Sequence, residues 1–305
     1  MTAEIQRHAA DARTVHRILC DHLDAAADTL EARPISDEAI HTARKSLKKA
    51  RAVLRLLKDA IPHAQFRREN LALRDAARPL SAARDARALI DSLEKLEKLY
   101  GPAARQAIPP AFRRALESEQ RATRRKSLPA TRSPTHPVVR LQAIRKRVTV
   151  LRISAHGWEE IGTAFKRTYR NGRGAMKFAR RTPTPECLHE WRKQSKHLWH
   201  QLQVLEPMSP GVIGELADQA HRLADYLGDH HDLAVLREQV TSHENRFAKP
   251  GGSGALLALI DRCEERLQEK AFLLGKRVYD EKPTAILKRF TGYRKRWRSS
   301  SAAAS

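Results

Sequence analysis

Residues 188–205 read LHEWRKQSKHLWHQLQVL and carry His189, Arg192, Lys193 and Lys196 at i, i+3, i+4 and i+7. That spacing places all four on one helical face. Cations stacked in a row repel one another unless an anion visits them. Arg and Lys donate charge-assisted hydrogen bonds to phosphate or carboxylate oxygens, and a neutral imidazole can donate one as well. The same types recur in HTARKSLKKARAVLRLL as His41, Arg44, Lys45 and Lys48, offset by 189 − 41 = 148 residues. Leu54 and Leu57 match Leu202 and Leu205 at the same offset, and no Asp or Glu occurs in the earlier stretch. Each eight-residue stripe is about 10 Å long at roughly 1.5 Å per residue. Two such stripes suit a linear anion lying across both better than a compact substrate.

A second pair of segments repeats in the same order. RPLSAARDARAL from Arg78 matches DYLGDHHDLAVL from Asp225, so that Leu80, Asp85 and Leu89 pair with Leu227, Asp232 and Leu236 at an offset of 147. Asp85 and Asp232 are placed to orient an arginine of the two stripes. The histidines of GDHHD (His230, His231) invite a metal reading, but Asp229 and Asp232 three apart read as helix capping. A surround of Arg and Lys repels a cation, so no metal site is expected. No nucleophile elbow, glycine-rich phosphate loop or repeated carboxylate pair is present. Cleavage of a phosphate bond normally recruits a metal or an acid/base pair, so the chain reads as a binding module rather than an enzyme, with no cofactor.

The elements that must carry these stripes are helices. Glycine is scarce, at 13 of 305 residues, and β-branched alternation is missing, which predicts an all-α chain. Helices are expected near 3–31, 36–60, 63–99 (broken around Pro79) and 110–126, then near 138–155, 158–180, 184–205, 210–228, 229–247 and 252–280. Ser36 before Asp37 and Glu38 is an N-cap, Pro185–Glu186 a helix start, and Gly228–Asp229 reads as one helix ending and another beginning. KSLPATRSPTHP, with three prolines, reads as a linker. The expected organisation is an N-terminal bundle over 1–126, a linker over 127–137, a C-terminal bundle over 138–290 and a basic disordered tail over 291–305. Two four-helix bundles related by internal duplication, with a basic groove or pore between them, are the economical packing.

The formal net charge is +23, from 58 Lys and Arg against 35 Asp and Glu. That excess repels itself in the folded state and fits a polyanionic partner. Nucleic acid, an anionic membrane and a phosphate polymer are the candidates. No window reaches transmembrane length, and the N-terminus lacks an apolar signal core. Cys20, Cys187 and Cys263 are scattered, without a metal-binding spacing. A cytoplasmic protein with no membrane partner is expected.

Taken together, these motifs resemble the CHAD domain, the conserved histidine α-helical domain. Its signature helix reads approximately H-(D/E)-x-R-(K/R)-x-x-(K/R)-x-x-R and is followed by L-G-x-x-x-D. LHEWRKQSK and YLGDHHDL fit the second copy closely, and IHTARKSLKKAR and LSAARDARAL fit the first more loosely. FKRTYRNGR, from Phe165 to Arg173, is similar to the family's basic segment ahead of the second signature helix. The resemblance spans about residues 5–290. It implies two four-helix bundles about a pseudo-two-fold axis and binding of inorganic polyphosphate in the basic groove, with association to polyphosphate granules. No triphosphate-tunnel enzyme pattern accompanies it, so the domain stands alone. The site residues implied are His41, Arg44, Lys45, Lys48, Lys49, Arg51 and Arg55 in the first copy. In the second they are His189, Arg192, Lys193, Lys196 and His200, preceded by Lys166, Arg167, Arg170 and Arg173. The copies differ where Arg51 is matched by Trp199, for which His200 would partly compensate, and where Gly228 is matched by Ser81. Tyr169 and the tryptophans 158, 191 and 199 read as core or groove wall. Two alternatives remain: weak nucleic-acid binding, supported by FKRTYRNGR and the basic C-terminal stretch, and an enzyme acting on phosphorylated substrates.

Overall fold

The computed structural model describes residues 11–31, 35–127, 136–154, 157–244 and 252–303. Most of the proline-rich segment, the start of the first expected helix and the break around Pro250 lie outside them. All the regular elements described are helical: α1 (Ala12–Glu31), α2 (Asp37–Leu56), α3 (His63–Tyr100), α4 (Pro102–Ala107), α5 (Pro110–Ser127), α6 (Pro137–Thr149), α7 (Trp158–Arg181), α8 (Pro185–Leu205), α9 (Pro210–Ser242), α10 (Gly254–Val278) and α11 (Pro283–Ala303), with a short 3-10 turn at Glu206–Met208.

Local chemistry sets the two stripe helices. Ser36 caps α2, its hydroxyl accepting from the Ala39 amide at 3.0 Å. Thr184 caps α8 in the same way, accepting from the Cys187 amide at 3.3 Å, with Pro185 at the first turn. Each then buries one apolar edge. On α2 this edge is Ile40, Ala43, Leu47, Ala50 and Leu54, and on α8 it is Leu188, Trp191, Leu198, Leu202 and Leu205. A fully buried leucine of this kind contributes about 1.5–3 kcal/mol.

Long helices tie the chain together. α3 and α9, of 38 and 33 residues, each pass through two separate apolar cores. The larger core takes side chains from α1, α2, α6, α7, α8, α11, the first halves of α3 and α9 and the end of α10. The smaller one joins the second halves of α3 and α9 to α4, α5 and the start of α10. Both cores therefore draw on both sides of the proline-rich segment. α6, on its C-terminal side, packs on α1 and α3, while α8 packs on α7 and α9 and also meets α2. Arg145 to Asp24 at 2.8 Å, and Arg147 to the fully buried Glu69 at 2.9 Å, hold α6 in that place.

Three sequence expectations are corrected. α3 runs unbroken through Pro79. Gly228 and Asp229 lie inside α9 rather than between two helices. Asp229 pairs with Lys95 at 2.5 Å instead of capping. Residues 291–303, expected to be disordered, form the second half of α11. There Phe290 stacks on Phe165 at 4.7 Å, and Trp158 donates to Thr291 at 2.9 Å. These contacts supply the burial that a basic sequence alone does not advertise.

Candidate functional site

The helical repeat places Arg44, Lys48, Arg51 and Arg55 on the edge of α2 that its core residues leave free. On α8 the corresponding edge carries His189, Arg192, Lys193, Lys196, His197 and His200. Both edges line one cavity of about 420 Å³, completed by Asp85 and Leu89 of α3 and by His231 and Asp232 of α9. Seven Arg and Lys side chains thus face two Asp carboxylates. The buried Gln201 of α8 donates to the Ala52 carbonyl of α2 at 3.2 Å and fixes the two helices side by side.

Both aspartates line the cavity with the cations, but they relate to them differently. Arg44 pairs with Asp85 at 3.4 Å. Asp232 lies in the field of Arg192 and Lys196, although burial pushes its carboxyl pKa up. Gly228 of α9 faces the Arg192 guanidinium, where a Cβ would lie at an ordinary contact distance of 3.4 Å from Nε. The Nε atoms of Arg51, Arg55 and Arg192 are buried with no protein acceptor. An unsatisfied buried donor is costly, and three around one cavity make a place for an acceptor-rich ligand.

The CHAD domain family matches residues 17–241, most of the chain and all of this cavity. The chain belongs to the CHAD domain family. A solved structure, PptA from Streptomyces chartreusis, shares the helical fold, with a TM-score of 0.61 at 15% identity over 89% of this chain and 100% of that one. No curated protein matches.

Within the CHAD cavity the charges are unusually strained. Burial, then the charges of Arg192 and Lys48, pull the Lys196 ammonium down from 10.5 to about 7. Burial also lowers Arg51 and Arg55; Arg55 is partly relieved by Glu190. Such guanidiniums remain charged. His189 is lowered to about 4 by burial, by His231 and by the nearby cations, and its ring lies 4.4 Å from that of His231. His197 is driven well below its usual value by burial and by Arg55 and Arg51. His200 is lowered to about 3 by burial, although its hydrogen bond to Gln203 at 3.2 Å opposes this. These imidazoles are neutral at pH 7. His200 therefore lines the cavity but does not replace the charge that Trp199 omits.

Other expected site residues stand apart. His41 and Lys45 are exposed on α2 and do not line this cavity. Lys49 lies beside His22 of α1, whose pKa burial and Lys49 together push to about 4. The segment FKRTYRNGR forms part of α7, and its cations are not among the lining residues. Arg167 pairs with Asp59 at 2.5 Å, and Arg173 donates to the Tyr279 carbonyl at 3.1 Å, so both hold the fold. Lys166 is partly buried and Arg170 exposed on the same helix. Tyr169 and Trp191 are buried, the latter stacked on Phe272 at 5.2 Å. His197 was not anticipated, and His231 had been singled out only for the metal reading that was set aside. His197 is matched to Lys49 in the other copy, so the repeat gave no signal for it.

Among the described residues no three His, Cys, Asp or Glu side chains converge as metal ligands would. None of the described helices is long and apolar enough to cross a membrane.

Proposed function

We propose that this CHAD protein binds inorganic polyphosphate in the cavity between α2 and α8, as a binding module rather than an enzyme. The observation that carries the reading is the convergence of two cationic helix edges on one space with three buried, unmatched arginine Nε donors. From Arg44 to Arg55 the α2 edge is about 16 Å long at roughly 1.5 Å per residue. A chain of phosphates presents acceptor oxygens at every step of such an edge. Charge-assisted hydrogen bonds and release of the polymer's counterions supply the free energy. The matching order of α1–α3 and α7–α9 supports an internal duplication that brings both stripes to one ligand. Granule association in the cell follows from this affinity.

The test replaces Arg44, Lys48, Arg192 and Lys196 together by Gln and titrates long-chain polyphosphate at low salt. Gln is chosen over Glu because Asp85 and Asp232 stand beside these positions. A control replaces exposed Lys177, Arg181, Lys276 and Arg277 by Gln, removing the same charge elsewhere. The expected result is loss of measurable binding in the cavity variant only. Equal losses in both variants would mean diffuse charge attraction and would overturn the site. Duplex DNA that displaces polyphosphate at equal phosphate concentration would favour the nucleic-acid alternative.

A further inference from the structure

Arg44, Lys48 and Arg51 face a second space as well. On the other side of α2 they line a cavity of about 520 Å³ whose far wall is α3, with Arg74, Asp75 and Arg78. The Asp75 carboxylate pairs with the adjacent Arg74 at 3.0 Å in an exposed ion pair, and the Asp75 backbone carbonyl accepts from Arg140 at 3.2 Å. Cations of the first cavity are thus shared with a second one that adds Arg74 and Arg78 of α3, with Asp75 the one acidic residue in its lining.

The second copy is built differently at the matched positions. Arg51 corresponds to Trp199 at the 148-residue offset, and Arg74 and Arg78 correspond to His221 and Asp225 at the 147-residue offset. His221 and Asp225 pair at 2.7 Å, and the Trp199 ring packs edge-on against His221 with centroids 3.7 Å apart. Three arginines on one side are answered by an aromatic, an imidazole and a carboxylate on the other. An anionic chain is attracted to the first set, whereas the second offers it no arginine or lysine and sets the Asp225 carboxylate in its way.

The geometry points to a second phosphate subsite formed by Arg74 and Arg78 with the shared edge of α2, through which a long polyphosphate leaves the main cavity on the N-terminal side alone. This rests on the polyphosphate reading above and adds direction to it. Short anions fill the cavity between α2 and α8, and only chains long enough to cross α2 reach Arg74 and Arg78.

The experiment compares tripolyphosphate with long-chain polyphosphate on wild type, on Arg74→Gln/Arg78→Gln and on Asp225→Asn. Arg74, Arg78 and Asp225 are all surface side chains, so these changes leave the cores intact. For the arginine pair, long-chain affinity is expected to fall about tenfold or more at low salt, and the slope of log affinity against log salt to become shallower by about 2. Tripolyphosphate affinity stays at the wild-type value. Asp225→Asn leaves the long-chain slope unchanged. Long-chain binding that ignores the arginine pair, or an equal loss for both probes, overturns the second subsite. A steeper long-chain slope in Asp225→Asn overturns the one-sided exit. Wild-type protein that binds neither probe overturns the polyphosphate reading itself.

Discussion

Replacing Lys196 by methionine should stabilise the empty protein at neutral and acid pH while weakening polyanion binding. The ammonium sits on α8 between Arg192 and Lys48, largely removed from water, and its pKa falls from 10.5 to about 7. At about 1.4 kcal/mol per pK unit, the charged form costs the empty protein at most about 5 kcal/mol. Methionine keeps the unbranched stem and removes the charge. The sign follows from proton counting. Below pH 7 the lysine is protonated in both folded and unfolded chains, and the cost is carried in full. Between pH 7 and 10.5 the folded chain has released a proton that the unfolded chain retains, so wild-type stability rises with pH. The advantage of Lys196→Met therefore shrinks above pH 7 at about 1.4 kcal/mol per pH unit, or roughly 2–3 kcal/mol by pH 9. Urea unfolding of both proteins at pH 6, 7, 8 and 9 measures it. A variant less stable than wild type at pH 6, or a difference constant from pH 7 to 9, refutes the claim that Lys196 is a strained ammonium.

The same lysine predicts that polyanion binding near pH 8 takes up protons, because phosphate favours its charged form; binding enthalpies that do not vary with the buffer's ionisation enthalpy would contradict this. Salt dependence should be steep: with 6–10 phosphate contacts, affinity should fall by about 10³–10⁵ between roughly 50 and 200 mM salt, and a flat response would point to a small buried ligand. Two neighbouring glycines on α7 should respond oppositely to alanine. Gly172→Ala puts a Cβ 2.3 Å from the buried Tyr279 hydroxyl and should destabilise by about 1–3 kcal/mol or more, whereas Gly174 has nothing within 4 Å and should gain up to about 1 kcal/mol of helix propensity, both read by thermal unfolding.

Helix period, a local property, was enough to put Arg44 and Lys48 on one edge and Arg192 and Lys196 on another, and the 148-residue offset matched the two edges. Ser36 as a cap was legible for the same reason, since its partner is three residues away. Gly228 was misread because tertiary packing carries α9 straight through it. It lies inside α9 facing the Arg192 guanidinium of another helix, and a glycine inside a packed helix looks in sequence like one that ends a helix. The helical C-terminal stretch was misread likewise, and two cations of the basic run of α7 have partners that the sequence did not show. Arg167 and Arg173 spend their donors on Asp59 and on the Tyr279 carbonyl, and Phe290 finds Phe165, through contacts that no spacing encodes. The sequence by itself determined an all-α chain, a cationic excess and two matched stripes. Only the tertiary structure decided that the stripes share a cavity, that burial keeps its histidines neutral and brings Lys196 to the edge of deprotonation, and that Arg74 and Arg78 of a third helix extend it. Those outcomes depend on desolvation and on charges from elements far apart in the chain, and both arise only when the helices pack.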